Sequence, residues 1–248
     1  MTPLNNPIHR NGPVAIYELT GGADPARLEA LLAIYQEQFP QYAHYAPRIR
    51  RRAPQPSAHD PRFLLHYWLV ELDGQPVALR MFRTVRPRRC GLAHALAVRP
   101  AFREVEVCGR RLSEFIIFQC LSQVIADAQA LGDPPAYGMV NEVDSPRLME
   151  HYRQMGILEL PAHYAEPIFP PEGAQPAAEP PALTFHPMIL GFLPAPGFDS
   201  AAADPAIVAD FIRAFLVDHY GLPEDHPAVQ QAIQSIGEVD GSRPLMNS

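Results

Sequence analysis

Leu96-Ala-Val-Arg-Pro-Ala-Phe-Arg103, continued by Glu104-Val-Glu-Val-Cys-Gly-Arg-Arg-Leu112, is the stretch from which the rest of the chain can be read. The apolar run from Gly91 to Val98 stops at Pro100, is too short for an ordinary helix and is flanked by breakers, so it reads as a strand. Beyond it Leu112, Phe115, Ile116, Leu121, Val124, Ile125 and Ala128 recur at helical spacing, and Gly132 stands where a helix normally stops. The pattern predicts a strand that feeds a long, deeply packed helix through a basic junction holding Arg103, Arg110 and Arg111. Unpaired amides and the positive end of a helix dipole make such a junction a natural seat for phosphate.

Upstream, Asp24-Pro25 pairs a capping side chain with the residue best tolerated in a first helical turn, and Leu28, Leu31, Leu32, Tyr35 and Phe39 come after it at helical spacing, which predicts a helix over 24–39. Between Tyr42 and Arg62, Pro47, Pro54, Pro56 and an arginine run predict an irregular, solvated connection. His66-Tyr-Trp-Leu-Val-Glu-Leu72 is aromatic and β-branched, and Asp73-Gly74 is a two-residue hairpin signal before a second strand over 77–85. Downstream, Tyr137 to Val143 reads as a strand, and Asp144-Ser145-Pro146 opens a short helix ending near Gly156. Leu183 to Leu193 reads as a last strand, Asp204-Pro205 opens a helix with Ile207, Val208, Phe211, Ile212 and Phe215 inward, and His226-Pro227 starts another that ends at Gly237. Seven prolines between 161 and 181 make a stiff loop and place a boundary near 175, while the tail after Asp240 is expected to fray.

Composition narrows the chemistry. The 248 residues can bury a sizeable core, and no apolar run approaches the ~18 residues of a membrane span. The N-terminus shows no basic segment followed by an apolar stretch, so a cytoplasmic protein is expected. Every basic residue is arginine; with no lysine, a P-loop lysine, a Schiff-base lysine and a lysine nucleophile are all excluded. Cys90, Cys108 and Cys120 form neither a C-x-x-C pair nor an even set, and the histidines show no ligand spacing, so no disulfide framework and no metal are expected. The net charge of -7 hides an asymmetry. Residues 48–111 carry fourteen arginines against five acids, a surplus of nine; after residue 140, four arginines face fifteen acids, a deficit of eleven.

A second segment, Asp144-Ser-Pro-Arg-Leu-Met-Glu-His-Tyr-Arg-Gln-Met-Gly-Ile157, joins the first in an ordered pair. Together they resemble the two signature regions of GNAT-superfamily acyltransferases, over residues 24–157. Val98, Pro100 and Arg103 match the family's V-x-P-x-x-R pattern, and Tyr152 and Gly156 match its later Tyr-x-x-x-Gly, with Ser145 at an Asn position and Ile157 at a Phe position. The family loop R-x-x-G-x-G becomes Arg103 to Gly109 here, one residue longer, with Val107 at the first Gly. That replacement removes easy access to positive φ, and Glu104 and Glu106 add like charge beside a phosphate.

The resemblance implies an α/β (α+β) fold, a GNAT-like mixed central sheet with helices on both faces, over residues 1–175. Residues 176–248 would add a strand and a helical extension that could complete the sheet, cover an acceptor cleft or make a homodimer contact. It also implies acetyl-CoA or another acyl-CoA as donor and a small-molecule or peptide amine as acceptor. Donor contacts would come from Leu96, Ala97, Val98, Arg103, Val107, Cys108, Gly109, Arg110 and Ser145. Tyr152 would return a proton to the leaving sulfur. For the base that takes the amine proton, two residues stay open: His94, whose ordinary pKa near ~6.5 suits the task, and Glu142 at the end of the next strand. Their plainer readings are a hydrogen-bonded core histidine and a surface acid. Three rival functions remain: an acyltransferase taking its donor from an acyl-carrier protein, a non-catalytic GNAT-like binding module, and an arginine-led nucleic-acid binder, which the net charge disfavours.

Overall fold

A computed structural model describes residues 6–22, 24–55, 60–169 and 183–238. The chain divides into two units, Met1–Arg86 with Ala93–Asp127, and Pro87–Leu92 with Ala128–Ser248. The class is α/β, with a mixed sheet and six α-helices among the described residues.

In the first unit, β1 (His9–Asn11) and β2 (Val14–Glu18) form a short antiparallel hairpin, His9 opposite Ile16, turned at Gly12 with φ +55°. The sequence pattern predicts neither strand, because three and five residues are too few to show a period. Helix α1 (Pro25–Gln38) starts as predicted, with the Asp24 side chain accepting from Ala26 N at 2.9 Å. The expected irregular connection is instead a 3-10 turn over Pro40–Tyr45 and a helix, α2 (Ala46–Arg52). Pro47 occupies the first turn of α2, where no amide is needed, so it starts the helix rather than breaking it.

Strands β3 (Phe63–Leu72) and β4 (Gln75–Val85) form the predicted hairpin, with Asp73 and Gly74 both at positive φ, as a two-residue turn matched to strand twist requires. With β5 (Cys90–Val98), the strand order here is β1-β2-β3-β4-β5. Alternation divides the sheet's faces. Tyr67, Leu69, Leu79 and Met81 join Leu31, Leu32, Ile49 and Ala53 in one buried cluster under α1 and α2. His66, Trp68, Phe82 and Thr84 point the other way, and Trp68 and Phe82 meet edge to face at 4.7 Å, both fully buried. Between β5 and the long helix α3 (Leu112–Leu131) lie two very short strands, β6 (Glu106–Val107) and β7 (Arg110–Arg111).

The α3 face is held by a buried polar network. Glu18 Oε2 accepts from His66 Nδ1 at 2.7 Å and from Trp68 Nε1 at 2.9 Å, while Glu18 Oε1 takes the Tyr67 amide at 3.1 Å. On the far side of the ring, Asp127 Oδ2 meets His66 Nε2 at 3.1 Å and accepts from Thr84 Oγ1 at 2.5 Å. A ring facing a carboxylate at each nitrogen satisfies both only when doubly protonated. Burial alone lowers its pKa, but the hydrogen bonds and charges of Asp127 and Glu18 outweigh burial and hold His66 at about 9.

The second unit is built on β8 (Gly138–Val143), which leads into α4 (Pro146–Arg153), and on β9 (Leu158–Glu159), β10 (Tyr164–Ile168) and β11 (Thr184–Pro194). Strand β11 lies antiparallel between β8 and β10, and β9 also pairs with it. One face of β11 carries Phe192, which packs at 4.9 Å on Phe211 of α5 (Pro205–Arg213). Gly191 opens the other face to Met149 of α4 and to Ile157. A π-helical turn, Ala214–His219, comes after α5, and α6 (Pro227–Gln234) closes the described chain. The short strands β9 and β10 are further additions to the elements the sequence predicts. The expected boundary near 175, most of the proline-rich loop and the tail after Asp240 lie outside the described residues.

The folded chain holds a proton on His66 that an unfolded chain, with histidine near 6.5, gives up; this contribution to stability is full below about 6.5 and is lost as pH rises through about 9, a swing on the order of 3 kcal/mol. In urea titrations, the stability gap between the parent and His66→Gln should shrink across that range; a pH-independent gap would mean a neutral ring. Gly138 has φ +154°, and a Cβ there would run into the Leu193 carbonyl and the Phe192 ring. Gly138→Ala should therefore cost about 3 kcal/mol, against about 1 kcal/mol for Gly12→Ala, where a Cβ meets nothing within 4 Å.

Candidate functional site

Each unit holds part of the residue set singled out by sequence. In the first, Leu96, Ala97 and Val98 form the end of β5, and the Arg99 amide bonds Val77 O at 2.9 Å. The stretch expected to be an open loop is a β-hairpin, with Glu106 opposite Arg111 and Val107 opposite Arg110. Cys108 and Gly109 turn it with φ of +53° and +73°, a two-residue turn with both central residues left-handed. The residues themselves do not announce it, because cysteine is an unusual occupant of that conformation.

The hairpin commits groups that the resemblance assigns to a donor. Arg103 Nε donates to Val98 O at 3.2 Å and its Nη2 to Gln38 Oε1 at 3.1 Å, so this guanidinium clamps the strand end to α1. Arg111 pairs with Glu104 at 3.0 Å. Val107 is buried, and Leu112 N, the first amide of α3, is taken by Val105 O at 2.8 Å. Arg110 stacks over Phe118 at 4.1 Å, which leaves its N–H edges available. Cys108 is exposed at the hairpin tip, where Asn11 Nδ2 lies 2.8 Å from its sulfur, whereas Cys90 and Cys120 are buried, and burial pushes both thiols up. His94 Nε2 accepts from Arg83 Nε at 2.9 Å, so that nitrogen's lone pair, the one a general base would use, is occupied.

In the second unit Glu142 stands out. Its cross-strand partner on β11 is Leu190, two residues from Phe192, so its side chain issues from the face that α5 covers. Tyr164 and Glu166 of β10 share that face by register, and Tyr220, just past the π-helical turn, reaches over it. Tyr164 Oη donates to Glu142 Oε1 at 2.5 Å and Tyr220 Oη to Oε2 at 2.8 Å, with Glu166 Oε1 3.2 Å from the same Tyr220 hydroxyl. Burial first and the Glu166 charge second push the Glu142 carboxyl up to about 8, against the pull of the two phenols. Glu166 is itself raised, chiefly by burial.

Ser145 caps α4, its hydroxyl accepting from Leu148 N at 3.4 Å. Tyr152 is half-buried in the last turn of α4, which packs through Met149 on the Gly191 face of β11, opposite the face from which Glu142 projects. A groove of about 740 Å³ runs along β10, β11 and α6, bounded by Tyr164, Phe185, Met188, His226 and Gln231. Sequence inspection finds Glu142 but not Tyr164, Glu166 or Tyr220, which lie up to 78 positions away and share no spacing with it. No cluster of three or more metal-binding side chains occurs, and no helix is long and apolar enough to cross a membrane, among the described residues.

No family model matches the chain, nor does any curated protein compared with it. Among solved structures it is similar to a Bacteroides thetaiotaomicron protein assigned to the GNAT acetyltransferases, at 16% identity and TM-score 0.48 over 84% of this chain and 99% of that one. It is also similar to a chimeric Vibrio cholerae spermidine N-acetyltransferase, at 12% identity and TM-score 0.46 over 78% and 99%. A third is the ribosomal-protein-S18-alanine N-acetyltransferase of Escherichia coli, at 12% identity and TM-score 0.42 over 74% and 96%. These likenesses are at 16% identity or less.

The Glu142 cluster has a direct readout. Tyr220→Phe removes a hydrogen bond that stabilises the charged carboxylate, so the Glu142 titration, observed through its side-chain carboxyl carbon chemical shift, should move from about 8 to a higher midpoint. A midpoint near the ordinary 4.5 in the parent would mean that Glu142 is solvated as a surface acid.

Proposed function

We propose that the protein is an acyltransferase that moves an acetyl or other acyl group from a CoA thioester to an amine, with Glu142 as general base. The observation that carries this reading is the Glu142 carboxyl, held between two tyrosine hydroxyls and raised to about 8. A base whose pKa lies within about a unit of ambient pH combines adequate ionisation with a real drive to take a proton. In the reaction, the amine nitrogen attacks the thioester carbonyl, its proton passes to Glu142, the C–S bond breaks, and the departing sulfur takes its proton from the Glu142 carboxyl that has just received one. The sequence resemblance gives that last role to Tyr152, but Tyr152 belongs to the helix on the opposite face of the β8 and β11 strands, and one thioester cannot lie against both faces.

One observation favours a second reading. With Arg103 and Arg111 already bonded, the hairpin keeps little free charge for a pyrophosphate, as a GNAT-like binding module or a carrier-protein-dependent enzyme would.

Calorimetry and thermal shift with acetyl-CoA and with CoA separate the readings. Binding at 100 times the dissociation constant should stabilise the fold by ~2.7 kcal/mol, and no shift with either ligand would favour the second reading. If CoA binds, Glu142→Gln should retain that affinity while turnover, assayed by free-thiol release with a panel of amines, falls about 10²-fold or more. Turnover in the parent should rise with pH through about 8, since the base acts as carboxylate.

A further inference from the structure

The arginine surplus is unevenly used. Within the first unit Arg27, Arg50, Arg62, Arg99, Arg103 and Arg111 are bonded to carboxylates, a side-chain amide or backbone carbonyls. The side chains of Arg48 and Arg52 on α2 have no ion-pair or hydrogen-bond partner among the described residues. They stand one turn apart, each next to a residue, Ile49 or Ala53, that packs α2 into the cluster containing Tyr67 and Met81. Arg83 lies two positions beyond Met81 on the same face of β4, opposite Leu65, with its guanidinium 5.5 Å from the Phe63 ring and its Nε on His94. Tyr67 pairs with Met81 across the hairpin, diagonal to Arg83 and under α2, and the charges of Arg52, Arg83 and Arg48 oppose the burial that raises its hydroxyl. The Tyr67 hydroxyl makes no hydrogen bond to a described residue. Glu18, the acid that also acts on Tyr67, is occupied by His66, Trp68 and backbone amides, and Glu29 is occupied by Arg50.

We propose that Arg48, Arg52, Arg83 and the Tyr67 hydroxyl form a receptor for the oxyanion of a small molecule, a carboxylate or a phosphate. Two guanidinium forks one helical turn apart offer paired N–H groups, Arg83 adds charge from the sheet, and the phenol supplies a short neutral donor. Arg83, beside an apolar floor of Phe63, Leu65 and Met81, attracts an anion through a lower effective dielectric than a solvated arginine does, and Arg48 and Arg52 add charge from the helix surface. The site stands independently of acyl transfer, because all its residues belong to the first unit and none enters the proton-transfer chemistry.

The test is calorimetric titration of the full chain with inorganic phosphate and, separately, with acetate, at low and at physiological salt. Saturable binding of either, weakening with salt, is expected, and the arm that binds more tightly identifies the oxyanion. The double variant Arg48→Ala, Arg52→Ala should lose affinity by about tenfold or more, Tyr67→Phe should lose less, and Arg50→Ala, whose charge is spent on Glu29, should bind as the parent does. Circular dichroism and the melting temperature check that each variant is folded; should the double variant unfold, the single Arg52→Gln variant, at an exposed position, replaces it. Failure of both anions to saturate, an unchanged double variant, or binding of a single-stranded oligonucleotide without either small anion would overturn the proposal.

Discussion

The first unit depends on one imidazolium. His66 lies in the middle of the sheet's α3 face, and a carboxylate from β2 and another from α3 each claim one of its nitrogens. Three elements far apart in sequence are thereby fixed to one ring, with Trp68 and Thr84 adding donors from β3 and β4. A buried charge network of this kind is weak evidence of net stability, since desolvation offsets much of the attraction; what it supplies is geometric uniqueness, because shifting α3 would strand an unpaired carboxylate. The neighbouring Arg80 shows the cost of incomplete pairing: it is 4% exposed, its Nε and Nη2 lack partners among the described residues, and its side chain also meets the Cys120 thiol.

Fixing α3 determines what the junction before it can do. With Asp127 anchored near one end of the helix, its start at Leu112 is placed as well, and the chain from Val98 must span that distance with residues already committed to a 3-10 turn and a hairpin. The Val107 and Leu112 contacts consume the local amides that a phosphate would otherwise engage. Charge count along a sequence is therefore a poor guide to available charge: within the arginine-rich stretch Arg50, Arg62, Arg88, Arg99 and Arg111 are paired with carboxylates and Arg103 is held by Val98 O and Gln38, whereas the Arg48 and Arg52 side chains on α2 have no such partner among the described residues.

Elements whose ends carry local chemistry are legible in the sequence. Asp24-Pro25, Asp73-Gly74, Gly132, Ser145-Pro146 and Asp204-Pro205 each impose a dihedral or a cap within a few residues, and the corresponding helices and strands begin or end within a few residues of where those signals stand. Elements set by distant partners are not. Strands β1, β9 and β10 owe their form to neighbours elsewhere in the chain, and α2 is obscured because Pro47 breaks a helix interior but begins a helix well. The same division runs through the candidate site. Glu142 is visible as a carboxylate at a strand end, but what distinguishes it from a surface acid is Tyr164 at 22 positions and Tyr220 at 78, which only register and a π-helical turn bring together.

The π-helical turn has a structural consequence of its own. An α-helix continued regularly from Arg213 would rotate each later residue by about 100° per position, whereas the wider i→i+5 turn over Ala214–His219 adds a residue without adding rise and re-aims the side chains beyond it. The Tyr220 amide still closes on Phe215 O at 2.9 Å, so the chain keeps its backbone bonds while Tyr220 is delivered to Glu142 and Glu166. Asp218 inside the turn is held at 2.9 Å by Arg88, which also takes Asp210 at 2.8 Å, and these two ion pairs fix the turn at both ends of the irregularity. Ala214, Phe215 and Leu216 of the turn are themselves buried, so the same irregular turn packs the unit and delivers a second phenol to a carboxyl that burial raises.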